Sequence, residues 1–316
     1  MDVPGLFDID SGSHSPERCV VAVGIFDGVH RGHARLLGEA RAMADSMGAK
    51  LFVLTFDPHP DRVLRPCTSS TRLIYPLDIR TRLLLDAGVD GVFVKNFTKR
   101  FASESPEEFL ALLKRKFPGL AGLVTGENFR FGRNASAGVE WLREHAALLG
   151  VETRAVAGVM DGGGFVSSTR LRRALLEGDM DCFERLCGRP YFAEGVVSPG
   201  RRLGRELGFP TLNLQWTREC MPPFGVYAAE LLNLEDGVLH RGVASFGTNP
   251  TVGKVSPVVE TNLFDRVVDF GEGTRIRVYF RDFLRPEEKF DSLDALKAQI
   301  ALDRSRAEAH FKKKPD

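Results

Sequence analysis

The residues best suited to chemistry in the first half of the chain are His30 and His33, in the run Gly24-Ile25-Phe26-Asp27-Gly28-Val29-His30-Arg31-Gly32-His33. This run leaves a short β-branched stretch and enters a segment whose apolar residues recur at helical spacing. Gly28 and Gly32 let the backbone turn tightly and approach a ligand closely. A helix beginning here aims N–H groups and the positive end of its dipole at the crevice, which suits a phosphate. Gly24, Phe26, Asp27, Gly28 and Gly32 are therefore candidate phosphate-binding positions. Two imidazoles facing one pocket can donate hydrogen bonds to a phosphoryl group whose charge grows during transfer. One such donor typically contributes ~3–4 kcal/mol of transition-state stabilisation. Zinc ligation is the competing chemistry, but no third ligand stands at metal-ligand spacing.

Other stretches carry supporting chemistry. Ser167-Ser168-Thr169 precedes a helical run that contains Arg172, so hydroxyls, amides and a guanidinium can meet a phosphate there. Helix capping alone is the competing reading. Pro58-His59-Pro60 fixes a loop at a strand end, where His59 either packs or touches ligand. Phe129 and Phe131 flank Arg130 and either join the core or help to bury an aromatic ring system. In the second half, the run from Gly195 to Leu214 is rich in glycine and arginine. Gly200 and Gly204, with Arg205 beside them, permit close approach of backbone to phosphates. Thr211 and Asn213 alternate on an extended chain, so both oxygens project from one face. Hard oxygen donors of this kind are what Mg²⁺ takes.

The elements that must position these residues fall into two textures. From Cys19 to about Gly188, short apolar runs alternate with helical segments: strands at 19–25, 51–56, 91–94 and 120–125, and helices at 34–47, 78–87, 106–117 and 139–149. Such alternation predicts a Rossmann-like α/β domain with a parallel sheet, its ligands beyond the carboxyl ends of the strands. After Arg189-Pro190, short strand-like runs follow one another between Gly and Pro turns, which predicts a small antiparallel β-barrel. An amphipathic helix at 293–311 closes the chain. The expected domains are 1–187 and 188–316, consistent with 316 residues at ~100–200 per domain.

Composition narrows the function classes. The formal net charge is +1, so no global field draws the chain to nucleic acid or anionic membrane. No apolar run approaches the ~18 residues of a membrane span, and the first residues lack a signal-peptide core. The five cysteines form no CxxC pair and are odd in number, against a disulfide framework or zinc site. The expectation is a cytoplasmic protein with no nucleic-acid or membrane partner; the sequence carries no signal of oligomeric state.

Taken together, the motifs resemble those of the prokaryotic bifunctional riboflavin kinase/FAD synthetases, in register from about Cys19 to Phe311. The HxGH string, Thr55-Phe56-Asp57-Pro58-His59-Pro60, the stretch from Gly126 to Gly132, and Val166-Ser167-Ser168-Thr169-Arg170-Leu171-Arg172 match the N-terminal blocks. Leu207-Gly208-Phe209-Pro210-Thr211-Leu212-Asn213 matches the kinase signature. The resemblance implies that His30, His33, Ser168, Thr169 and Arg172 engage ATP phosphates in an FMN adenylyltransferase half. It places Asn128 in the shared FMN/ATP pocket, with Phe129 and Arg130 as further flavin candidates. It assigns Thr211 and Asn213 to Mg²⁺ and Glu260 to the base of a riboflavin kinase half, with ATP as co-substrate of both. FMN's phosphate is already a nucleophile and needs no base, whereas riboflavin's hydroxyl profits from one. The chain departs from the family around Ser245 and Asn249, where an Asn and an Arg are more usual, and at Asp269-Phe270-Gly271. The catalytic and metal positions are intact, so an active kinase with altered flavin affinity is expected. The alternative is an FAD synthetase only, with a degenerate kinase domain.

Overall fold

A computed structural model describes residues 3–12, 14–67, 71–199, 208–216, 218–251, 254–265 and 270–313; the candidates Gly200, Gly204 and Arg205 lie outside them. Contacts divide the chain into two compact units, Met1–Ser168 and Thr169–Asp316. The first holds a parallel sheet of β1 (Leu6–Asp8), β2 (Cys19–Val23), β3 (Lys50–Asp57), β4 (Gly91–Asn96), β5 (Leu120–Gly126) and β6 (Glu152–Val156). Their order is β1-β4-β3-β2-β5-β6. Every residue of β2 is buried, because a central strand without a polar face must be covered on both sides. Val20 and Ala22 pack against Leu37, Ala40 and Met43 of α1 (Arg31–Ser46). Val21 and Val23, pointing the opposite way, join Leu113 of α5 (Pro106–Lys116) and Leu142 of α6 (Val139–Ala147).

Shorter helices complete this unit: α2 (Pro60–Leu64), α3 (Leu77–Asp86) and α4 (Lys99–Ala102). Local chemistry sets their ends. Helix α5 starts at a capping box: Ser105 Oγ accepts from the Glu108 amide at 3.2 Å, and the Glu108 carboxylate accepts from the Ser105 amide at 2.7 Å. Helices α2 and α4 lie beyond the sequence expectation, and so do several strands. Strand β1 is too short for periodicity to reveal, β6 alternates weakly, and β7 (Met160–Asp161) with β8 (Gly164–Phe165) forms a small hairpin around two glycines.

In the second unit, α7 (Ser168–Glu177) continues across the division, and α8 (Met180–Cys187) packs on the barrel, with Phe183 edge-on to Tyr191 at 5.3 Å. That packing is why the division falls before residue 188. Six strands close the barrel in the order β10-β13-β12-β11-β14-β9. They are β9 (Tyr191–Ser198), β10 (Leu212–Gln215), β11 (Gly225–Asn233), β12 (Leu239–Thr251), β13 (Lys254–Leu263) and β14 (Arg275–Pro286), paired antiparallel. Aromatic rings fill the interior: Trp216 lies 5.3 Å from Phe246 and 5.9 Å from Tyr191, and Tyr227 lies 5.0 Å from Phe280. Helix α9 (Leu293–Lys313) covers the outer face through Ala307 and Phe311 against Ala228.

Burial sorts the cysteines. Cys19, Cys187 and Cys220 are buried, whereas Cys67 is exposed. Desolvation pushes the Cys19 thiol up to about 12 and the Cys187 thiol up to about 11. A thiol reagent at neutral pH should therefore modify Cys67 first and reach Cys19 and Cys187 only on unfolding; peptide mapping that finds Cys19 labelled in the folded protein would contradict this packing.

Candidate active sites

Strand order locates the first site. From β2 the chain steps to β3 on one side, while β4 leads across to β5 on the other. The loops leaving β2 and β5 therefore diverge over a crevice at the carboxyl edge, the topological switch point where ligands bind in such sheets. The loop from β2 is strained. Phe26 (φ 55°) and the β-branched Val29 (φ 42°) occupy left-handed conformations beside Gly28 (φ 82°). Each non-glycine residue there costs on the order of 1–3 kcal/mol unless its surroundings hold it.

Those surroundings are specific. The Asp27 carboxylate is almost fully buried and accepts from the amides of Ile74 (3.0 Å) and Tyr75 (3.5 Å). The Asp27 carbonyl accepts from Ser168 Oγ at 2.8 Å. The Ile25 carbonyl accepts from Thr55 Oγ1 at 3.0 Å and from Arg80 at 3.2 Å. Glycines supply room: a Cβ on Gly24 would sit 3.0 Å from the Phe26 ring, and one on Gly32 would sit 3.1 Å from the His30 ring. Asp27 and Ser168, expected at the phosphates, thus brace the loop, and Gly32 makes space for an imidazole.

That imidazole caps α1. His30 Nδ1 accepts from the His33 amide at 3.3 Å, so the neutral ring carries its proton on Nε2. The His30 and His33 rings stack at 3.7 Å, which brings the two candidates onto one surface. Between them Arg31 pairs with Asp161 of the hairpin at 3.1 Å. His59 instead caps α2, its Nδ1 accepting from the Asp61 amide at 3.2 Å. On the β5 side, Asn128 and Arg130 are exposed, while half-buried Phe129 stacks on Phe131 at 5.4 Å. Thr169 and Arg172 follow Ser168 in α7, within the second unit.

Sequence reasoning missed Arg80. Its side chain is fully buried, donating to the carbonyls of Ile25 (3.2 Å) and Phe56 (3.3 Å), with Asp57 at 3.6 Å. Burial pulls its guanidinium below the ordinary value, and Asp27 and Asp57 oppose that pull. One rigid fork therefore ties the loop after β2 to the end of β3.

The second site lies on the outer face of the barrel. Register places Asn213, Glu260, Ser245, Val226 and Arg285 in one row across five strands. Directly paired residues project to the same side of a sheet. Of this row all but Asn213 line a cavity of about 400 Å³, which Thr211 also borders. Asn213 stands opposite Glu260 and is 9% exposed. Arg285 is clasped by Asp303 of α9, with contacts of 3.0 and 2.7 Å, so the helix forms one wall. Ser245, where the resemblance led one to look for Asn, faces this cavity opposite Glu260.

Comparison with known proteins gives the two units separate matches. The FAD synthetase family model matches residues 12–170, and the riboflavin kinase model matches residues 187–311. A bifunctional riboflavin kinase/FMN adenylyltransferase of Escherichia coli K12 is 36% identical over 295 residues, covering 93% of each chain. One from Pseudomonas fluorescens is 36% identical over 293 residues, covering 92% of each. A crystal structure described as a macrolide-efflux protein from Streptococcus pneumoniae is 31% identical, with a TM-score of 0.85, covering 96% of this chain and 99% of that one. The chain belongs to the bifunctional riboflavin kinase/FMN adenylyltransferase family.

Replacing Arg80 by Met takes a donor from two carbonyls, although that of Ile25 keeps Thr55 Oγ1. The variant should lose on the order of 2 kcal/mol of stability. Arg80→Lys, which keeps charge but not the planar fork, should lose less. Urea unfolding checks this, and a Met variant with the parent's midpoint would remove Arg80 as a tether.

Proposed function

We propose that this chain makes FMN from riboflavin in its second unit and FAD from FMN in its first, using ATP in both. The observation that carries the reading is that the two family matches fall one on each candidate site. The alternative of an FAD synthetase with a degenerate kinase half is set aside, because the kinase match spans residues 187–311. Transport of the kind named for the Streptococcus structure is not part of the proposal, since both family matches and the curated relatives name flavin chemistry.

In the kinase step, Glu260 takes the proton from the terminal hydroxyl of the ribityl chain as that oxygen attacks the γ-phosphorus of ATP. The bond to the β-γ bridging oxygen breaks and ADP leaves. The hydroxyl of Thr211 and amide oxygen of Asn213 are hard donors, and two of them suffice for Mg²⁺, which keeps waters and ATP phosphates as its other ligands. They fit that ion, which when bound would offset phosphate charge. The cavity beside them takes the flavin ring.

In the adenylyl step, a phosphate oxygen of FMN attacks the α-phosphorus of ATP and pyrophosphate leaves. No base is needed, because the nucleophile is already an anion. His30 and His33 donate to phosphate oxygens as charge builds, from a loop already held in place. The family resemblance assigns Ser168, Thr169 and Arg172 to the ATP phosphates, and Asn128, Phe129 and Arg130 to the flavin. Among the described residues no helix is long and apolar enough to cross a membrane, and we place the protein in the cytoplasm, where flavin cofactors are needed and thiols stay reduced.

Chromatography of products from riboflavin, ATP and Mg²⁺ tests the reading: FMN should form first and FAD after it. Turnover of neither flavin would end the proposal. His33→Ala should stop FAD formation at accumulated FMN, and Glu260→Ala should block FMN formation yet spare conversion of supplied FMN. Loss of both activities in either variant would contradict two separate sites.

A further inference from the structure

Asn262 of β13 carries a polar atom that the mechanism above does not use. Its side chain lines the cavity of the second unit, yet the residue is only 7% exposed. Nδ2 donates to the Pro210 carbonyl at 2.8 Å. Only an N–H can face a carbonyl in this way, so the orientation of the amide is fixed by its partner. Oδ1 is consequently turned from Pro210 and is buried with no hydrogen-bond partner among the described residues. An amide oxygen left in that state is costly, and native structures rarely tolerate it without a reason.

The surroundings indicate what would satisfy it. Asn262 follows Glu260 by two residues on an extended strand, so both project from the same face, roughly 6–7 Å apart along the chain. Val243 is paired with Asn262 in the register, and α9 contributes Leu296 and Ile300 to the same cavity. The lining therefore divides between apolar side chains (Val226, Val243, Leu296, Ile300) and polar ones, Thr211, Glu260 and Asn262 among them, with the paired charges of Arg285 and Asp303 also on the wall. A ligand with a flat apolar body and a hydroxylated arm matches that division. Resting on the reading that this cavity holds riboflavin, we infer that Asn262 Oδ1 accepts a hydrogen bond from an inner hydroxyl of the ribityl chain. Asn262 is then a substrate-binding residue that sets the arm's direction, so that the terminal hydroxyl arrives at Glu260.

Lumiflavin, which has the ring system but a methyl group in place of the arm, separates this role from a general effect on the pocket. In Asn262→Ala the KM for riboflavin in FMN formation should rise about tenfold, as expected for the loss of one buried hydrogen bond. The inhibition constant of lumiflavin against the same reaction and the KM for Mg-ATP should stay at the parent's values. Conversion of FMN to FAD should also be unchanged. An unaltered riboflavin KM would overturn the inference. So would an equal weakening of lumiflavin, which would mean that the substitution merely disturbs the cavity, or a selective rise in the KM for Mg-ATP, which would assign the oxygen to the nucleotide. A parent chain that forms no FMN would instead count against the proposed function itself.

Discussion

A chain with a net charge of +1 has no general attraction for a triphosphate, so its donors must be few, well aimed and fixed in advance. In the first unit that requirement rests on the backbone of residues 26–29. Left-handed Phe26 and Val29 aim the start of α1, and with it the stacked imidazoles, at the crevice beyond β2. Such a conformation persists only where contacts outweigh its strain. Here they come from three directions: the amides of Ile74 and Tyr75 on Asp27, the hydroxyl of Ser168 on the Asp27 carbonyl, and Arg80 with Thr55 on the Ile25 carbonyl.

The second unit meets a related demand by other means. A barrel has no strand-end crevice of the parallel kind, and its cavity forms on the outer face, under a helix. Antiparallel register does the aligning, since a one-residue slip of β13 would send Glu260 and Asn262 to the aromatic interior. The clasp between Arg285 and Asp303 holds α9 over that face. Both charged groups are nearly buried, so removing either partner would strand the other. On the proposed reading, strand ends serve one transfer and a strand face the other.

Much of this was legible in the residues. Strand–helix alternation gave the parallel sheet, the turn-punctuated runs gave the barrel, and the histidine motif lies just beyond the carboxyl end of β2. What stayed hidden depends on contacts across the fold. Arg80 sits in Leu77–Asp86, where an arginine at helical spacing reads as a solvated face, and only the two loops above it make it a buried tether. Asp27 reads as part of a phosphate turn, but its carboxylate is turned to the backbone of residues 74 and 75. Gly32 reads as a ligand approach, and only the fold shows that its missing Cβ also leaves room for the His30 ring. Asn262 alternates like any strand residue until its amide is seen to be oriented by Pro210. The row from Asn213 to Arg285 spans distant segments, and its order follows from pairing that no local pattern specifies.

The central claim is that two physically separate sites act in succession, with FMN as product of one and substrate of the other. Mixing His33→Ala with Glu260→Ala tests it most directly, since each chain lacks one activity and keeps the other. Supplied with riboflavin, ATP and Mg²⁺, the mixture should regain FAD formation that neither variant shows alone. A mixture that stays unable to make FAD, although each variant performs its retained step, would contradict the account.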